Sequence, residues 1–279
     1  MVNQELVVEN PFEDEQTSIE YSKADPVYET SARAAIDFVN PLDHNGSEGI
    51  VLDIGAGTGV SSEMILDAGV KNLYVIDPSE AMLKQARERL GDDQITYLKL
   101  SAEDLLNEFN ANVDLAYALN TFHLFGEMSK FLAAIACTLK PNGVFVFNIS
   151  APTFGFTNMT EGERLTLEAN KQFYTKLNEN SKSDIIGYTI ALIDQILENN
   201  FDNIYTKEKI EMIFSAVGMS LTSYKEILIN VSPDYQQNIW SMIARSFVSD
   251  EKQIENIIDS VKLPKEINIR QAIFKLVNS

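Results

Sequence analysis

VLDIGAGTGVSS, Val51 to Ser62, sets glycines at 55, 57 and 59 directly after an apolar run that carries an aspartate. The run reads as a strand, the glycines as a tight turn and the residues from Val60 as the start of a helix. A turn of that shape commonly faces a nucleoside-containing ligand. The sequence on either side decides how the turn is mounted and which ligand suits it.

Downstream, strand and helix patterns alternate regularly. Ile50 to Ile54 is apolar, Val60 to Ala68 reads as a helix stopped at Gly69, and Leu73 to Ile76 is a second apolar run ending at Asp77. In SEAMLKQARERLG, Met82, Ala86 and Leu90 share one helix face, with Ser79 as N-cap and Gly91 as the stop. Ile95 to Leu100 and Val113 to Leu119 are further strands, separated by a short helix from Ala102. Phe131 to Leu139 is helical, Pro141-Asn142-Gly143 turns the chain, and VFVFNI is a fifth strand. Five apolar strands separated by helices predict a parallel sheet covered on both faces.

The flanks differ from this core. Residues 1–20 are acidic and weakly patterned, and Ile19 to Val39 predicts one or two short helices interrupted at Asp25-Pro26, because the residue before proline avoids the helical region. Past Ser150, Ala151 to Tyr205 is polar and helical with no clear strand; a helix, the strand LTSYKEILI, a helical stretch from about Asp234 to Val261 and the strand RQAIFKLV follow. The expected layout is an N-terminal helical segment over 1–40, a core over 41–150, a helical cap over 151–205 and completion of the core over 206–279.

With 279 residues, 45% of them apolar, the chain has ample material for a buried core. Its formal net charge of -19 would repel a phosphate backbone, which argues against a nucleic-acid substrate. One cysteine cannot form an internal disulfide, and no leader or apolar run of roughly 18 residues is visible, so no membrane association is expected and the cytoplasm is the expected compartment. With two histidines and that single cysteine, no spacing supports a metal site. Cys137, in FLAAIACTL, reads as buried packing, and His44 as solvated loop.

In an open parallel sheet, ligands bind at the carboxyl ends of the strands where strand order reverses, and the first strand-to-helix turn lies there. The dinucleotide fingerprint G-x-G-x-x-G needs a glycine at position 60, where this chain has Val60; its third glycine comes one residue early, at Gly59. Asp53 would also set a carboxylate against the pyrophosphate that such a turn holds. A cationic or zwitterionic ligand fits better.

Here VLDIGAGTG, IDPSEAML, LSAEDL, VDLAYALNTFHLF and LKPNGVFVF, in that order from about Ile50 to Ile149, resemble the class I S-adenosylmethionine-dependent methyltransferases of small-molecule type. The resemblance implies an α/β fold: a Rossmann-like, seven-stranded, mostly parallel sheet with helices on both faces, and a helical cap inserted after the fifth strand. It implies S-adenosylmethionine as donor and S-adenosylhomocysteine as product. Gly55, Gly57 and Gly59 would let the backbone approach the methionine part, and Asp53 would help hold its ammonium. Asp77 would accept hydrogen bonds from the ribose hydroxyls, a task suited to an acceptor-only group. Pro78, Met82, Ala102, Glu103 and Asn120 would complete the donor site. Ser101 stands where the family often has an aspartate that reads the adenine amino group, so that contact passes to Ser101, Glu103, Asp104 or the backbone.

His123 falls after the fourth strand, where these enzymes line the space between donor and acceptor. It is a candidate base and acceptor contact, with a structural histidine as the other reading. Tyr21 and Tyr28 either face the acceptor or pack the N-terminal segment against the sheet, and Phe154, Phe156, Tyr174 and Trp240 are candidates for an acceptor pocket. The implied reaction is methyl transfer to an O, N or C nucleophile of a small metabolite by in-line displacement, where alignment does most of the work and a base is optional. A non-catalytic S-adenosylmethionine-binding module, an aminopropyl transferase and a nicotinamide oxidoreductase are the competing readings. The acceptor and the oligomeric state stay open.

Overall fold

The computed structural model describes residues 19, 25–92, 95–201 and 204–279. Helix α1 (Asp25–Phe38) buries Ala32, Ala35 and Ile36, a spacing that gives one apolar stripe, and Val39 just past its end is buried too. Pro26 sits in its first turn, where a missing N–H costs nothing. Ile19 is helical as well, residues 20–24, with Tyr21 among them, lie outside the described residues, and a helix starts at the expected Asp25-Pro26 boundary.

From there the chain alternates as expected: β1 (Val51–Ile54), α2 (Val60–Asp67), β2 (Leu73–Asp77), α3 (Glu80–Leu90), β3 (Ile95–Lys99), a 3-10 turn (Ala102–Asn107), β4 (Val113–Ala118), α4 (Met128–Thr138) and β5 (Leu139–Ser150). Pro141-Asn142-Gly143 forms a kink in the early part of β5. The register against β4 shifts there, and Asn142 has φ +65°. After it come α5 (Glu161–Ser181), α6 (Asp184–Leu197), α7 (Lys207–Ser215), β6 (Met219–Val231), α8 (Pro233–Arg245), α9 (Glu251–Asp259) and β7 (Ile267–Asn278). The stretch read as one helical region from Asp234 to Val261 is two helices, with Asp250 capping the second through the Gln253 N–H.

Seven strands form one sheet in the order β3-β2-β1-β4-β5-β7-β6. β1 to β5 pair in parallel and β7 runs antiparallel between β5 and β6. Period-2 alternation sends neighbouring residues to opposite faces. Leu115 and Tyr117 of β4 join the cluster under α1 and α2, whereas Val113, Ala116 and Ala118 join the cluster under α4 and α7. Strand order reverses between β1 and β4, which opens a crevice at their carboxyl ends.

Above that edge lies a helical layer drawn from two insertions, not one. Phe173 and Leu177 of α5, Ile186 of α6, Trp240 and Ala244 of α8, and Ile254 and Ile258 of α9 share one buried cluster, with Phe173 and Trp240 stacked at 4.8 Å. The layer is tied to the sheet by Arg270 of β7, which donates to both carboxylate oxygens of Glu163 in α5 at 2.6 and 2.7 Å. Cys137 is exposed on α4, on the face turned away from Phe131, Ala134 and Ile135, so it is not the packing residue its apolar neighbours implied. No helix among the described residues is long and apolar enough to cross a membrane.

Candidate active site

A cavity of about 680 Å³ opens at the carboxyl ends of β1, β2 and β4, within the range of ligand sites. Its floor is the quoted turn. Gly55 and Gly57 adopt φ +68° and +56°, a backbone that side chains rarely take. A Cβ on Gly55 would lie 2.3 Å from Thr121 Oγ1, so this glycine is also required by the close approach of the loop after β4.

Asp77 ends β2 and borders the cavity. Its Oδ2 accepts the Gly57 N–H and its Oδ1 the Ser79 N–H, both at 2.9 Å. Two oxygens offer about four lone-pair sites, so the carboxylate is fixed by the backbone and can still accept from a ligand. Pro78, Met82, Leu100 and Ala102 line the cavity as well and give it an apolar wall. Ser101 also borders the cavity and donates to Asp104 Oδ2 at 2.7 Å, and Glu103 Oε1 accepts the Gly126 and Glu127 N–H groups, which pins the loop beyond β4.

Two expected donor residues do not border the cavity themselves. Asp53 is buried behind the turn and is not among the cavity-lining residues. Its Oδ2 accepts both the Ser61 and Ser62 hydroxyls at 2.6 Å, and its Oδ1 has no protein partner among the described residues. Gly59 faces α3, where a Cβ would meet the Ala86 backbone at 3.2 Å, so its task is helix packing.

Burial raises the Asp53 carboxyl to about 6 against the Ser61 and Ser62 hydrogen bonds, with a smaller push from Asp77. Between its ordinary value near 3.8 and about 6, the folded protein binds more protons than the unfolded chain. Stability therefore falls as pH rises through that window, by about 3 kcal/mol. Urea midpoints measured from pH 4 to 7 are expected to show this slope and to lose it in Asp53→Asn; an unchanged slope in the variant would remove Asp53 as its source.

Asn120 borders the cavity in the left-handed region, φ +57°. It is held by a polar network that the sequence reading missed. Its Oδ1 accepts from Ser31 Oγ at 3.0 Å, Asn148 Nδ2 at 2.9 Å and Gln271 Nε2 at 3.1 Å, and its N–H donates to Asn148 Oδ1 at 2.5 Å. Ser31, Asn148 and Gln271 are buried and come from α1, β5 and β7, so the network joins the N-terminal helix to the strand ends.

His123 lies in a 3-10 turn whose first residue, Phe122, stacks on Phe147 of β5 at 4.2 Å. That anchor leaves the imidazole exposed on the border of the cavity, with no protein partner among the described residues. The protein around it lowers its pKa from the ordinary value, so the ring is neutral near pH 7. Tyr28 of α1 also borders the cavity. Phe154, Phe156, Tyr174 and Trp240 do not: the first two pack in the core beneath the sheet edge, and the others within the helical layer. The far wall comes instead from Ile185 of α6 and from Met242, Ile243 and Phe247 at the end of α8.

Residues 52–147 match the family described as a methyltransferase domain. A malonyl-acyl-carrier-protein O-methyltransferase of Acetivibrio thermocellus is 26% identical over 190 residues, which is 65% of each chain, so the match spans just under two thirds of that relative's length. Among solved structures, the YcgJ protein of Bacillus subtilis aligns with TM-score 0.54 at 15% identity, over 85% of this chain and 96% of that one. A Haemonchus contortus phosphoethanolamine N-methyltransferase in complex with phosphomonomethylethanolamine and S-adenosylhomocysteine aligns with TM-score 0.52 at 16% identity, over 89% and 52%. At these identities the structural likeness is one of fold.

Proposed function

We propose that this chain, which carries a class I S-adenosylmethionine-dependent methyltransferase domain over residues 52–147, transfers a methyl group from S-adenosylmethionine to an O, N or C nucleophile of a small molecule. One observation carries the reading: a single cavity joins a glycine turn and a backbone-fixed Asp77 to a wall supplied by the helical layer. The residues fit the donor. Asp77 offers lone pairs to a ribose, the apolar wall by Met82 and Ala102 suits adenine, and the orphaned Asp53 Oδ1 gives the methionine end a buried negative neighbour. No lysine or arginine borders the cavity among the described residues, and the carboxylate of Asp53 lies buried behind the turn, which suits a cation better than a pyrophosphate. The nicotinamide reading loses support accordingly.

The donor supplies an already activated methyl group, so this chain's task is alignment and the exclusion of water. Tyr28 and the ends of α6 and α8 close the acceptor side, which makes the helical layer a cap built by two insertions. A neutral His123 can accept a hydrogen bond from the nucleophile and orient it. His123→Phe is expected to lower kcat by about 100-fold while leaving S-adenosylhomocysteine affinity within about twofold; an unchanged kcat would assign the ring a structural role. The exposed thiol of Cys137 supports the cytoplasm as the working compartment.

The test is incubation of the full chain with S-adenosylmethionine and low-molecular-weight extract fractions, with S-adenosylhomocysteine followed by mass spectrometry. Acceptor-dependent product is expected. Donor binding without product in any fraction would favour the non-catalytic module instead.

A further inference from the structure

The cavity has two chemically different ends, and the second narrows the acceptor; the argument rests on the donor reading above. Asp77 and Glu103 are the only carboxylates bordering the cavity among the described residues. Both stand at the donor end, and both already accept backbone N–H groups. The acceptor end is walled mainly by Leu124, Ile185, Met242, Ile243 and Phe247, with the hydroxyl-bearing Tyr28 and Ser246 as its uncharged polar members. Leu124 and Ile185 remain 53% and 52% exposed while facing this space, so large apolar side chains wait there for a cover. Amid them stands one unpartnered hydrogen-bonding ring, the neutral His123.

We propose that the acceptor is an uncharged, largely apolar small molecule that presents a hydroxyl to His123. A phosphate or carboxylate in this half of the cavity would be desolvated with no lysine or arginine among the described lining residues to meet it. The donor's positive charge is no substitute for an anionic group that is not itself methylated, because that charge disappears on transfer and would strand the anion in the product complex. In the step itself an oxygen lone pair forms the O–CH3 bond and the C–S bond breaks with its electron pair passing to sulfur. The hydroxyl proton passes to the free ring nitrogen of His123 and from there to water. A neutral imidazole is a modest base, so an acidic hydroxyl such as a phenol, which releases its proton as the new bond forms, suits it best.

Three probes that share one ring system separate the possibilities: 2-naphthol, 2-naphthyl phosphate and 2-naphthoate, titrated near neutral pH into the full chain saturated with S-adenosylhomocysteine. The parent is expected to bind 2-naphthol at least about tenfold more tightly than either anion. Met242→Lys is expected to weaken 2-naphthol by about tenfold and to bring 2-naphthyl phosphate level with it or ahead. Met242→Gln serves as the uncharged companion, expected to keep the parent's order of preference. Equal or tighter binding of an anion by the parent, or no binding of any probe, would overturn the assignment. S-adenosylhomocysteine is titrated first in the same sample: its failure to bind speaks against the donor reading alone, and the probe preferences are then read on the free protein by the same criteria.

Discussion

Replacing Asp77 by alanine is expected to weaken S-adenosylmethionine and S-adenosylhomocysteine by about 2 to 3 kcal/mol, roughly 30- to 150-fold in Kd. Two losses combine. The ribose hydroxyls lose a charged acceptor in a nearly buried site, and the Gly57 and Ser79 N–H groups lose the oxygens that hold them 2.9 Å away. The second loss loosens the turn itself, so the two ends of the donor suffer together. Asp77→Asn keeps one acceptor oxygen and is expected to fall between parent and alanine. Calorimetry on variants whose circular dichroism matches the parent is the check; an Asp77→Ala protein that binds like the parent would move the donor site away from β2.

Gly55→Val should be the more damaging change. The φ of +68° is a poor conformation for a β-branched residue, and the new Cβ would sit 2.3 Å from Thr121 Oγ1 and 2.8 Å from its Cβ. Backbone strain and overpacking are each worth about 1 to 3 kcal/mol, so a stability loss of about 2 to 6 kcal/mol is expected, along with loss of measurable donor binding. Gly187→Ala is the matched control: this helical glycine has only Asn178 Nδ2 near its would-be Cβ, at 4.0 Å, and alanine there should be neutral or slightly stabilising. Thermal unfolding of the two variants beside the parent separates a demand at position 55 from a general cost of adding a methyl group.

The alternation from Val51 to Ser150 was legible because each element carries its own signal: apolar runs of strand length, Ser79 before a helical face, Gly69 and Gly91 after one. Asp77 could be placed because a strand that ends on an acid delivers it to the ligand edge. The residues around it resisted reading for a different reason. Asp53 and Gly59 lie in the same motif, yet the motif does not say which way each faces. Asp53 turns to Ser61 and Ser62 at the start of α2, and Gly59 to Ala86 of α3.

Tertiary pairing hid the rest. The stripe on α8 announces a buried face but not its partner, and Trp240 finds Phe173, which stands 67 positions earlier in the numbering and in another insertion. Because α5, α6, α8 and α9 share that cluster, the cap cannot be cut away at one insertion without exposing the other. Ser31, Asn148 and Gln271 are three ordinary polar residues until β5, β7 and α1 bring them around Asn120. Nothing in their local sequence marks such a network.

The central claim is that the glycine turn and Asp77 hold S-adenosylmethionine, and the most direct measurement is calorimetric titration of S-adenosylhomocysteine into the folded full chain with a chelator present. The account predicts one site per chain with a micromolar Kd. No heat of binding at several temperatures, from protein whose circular dichroism shows it folded, would contradict it.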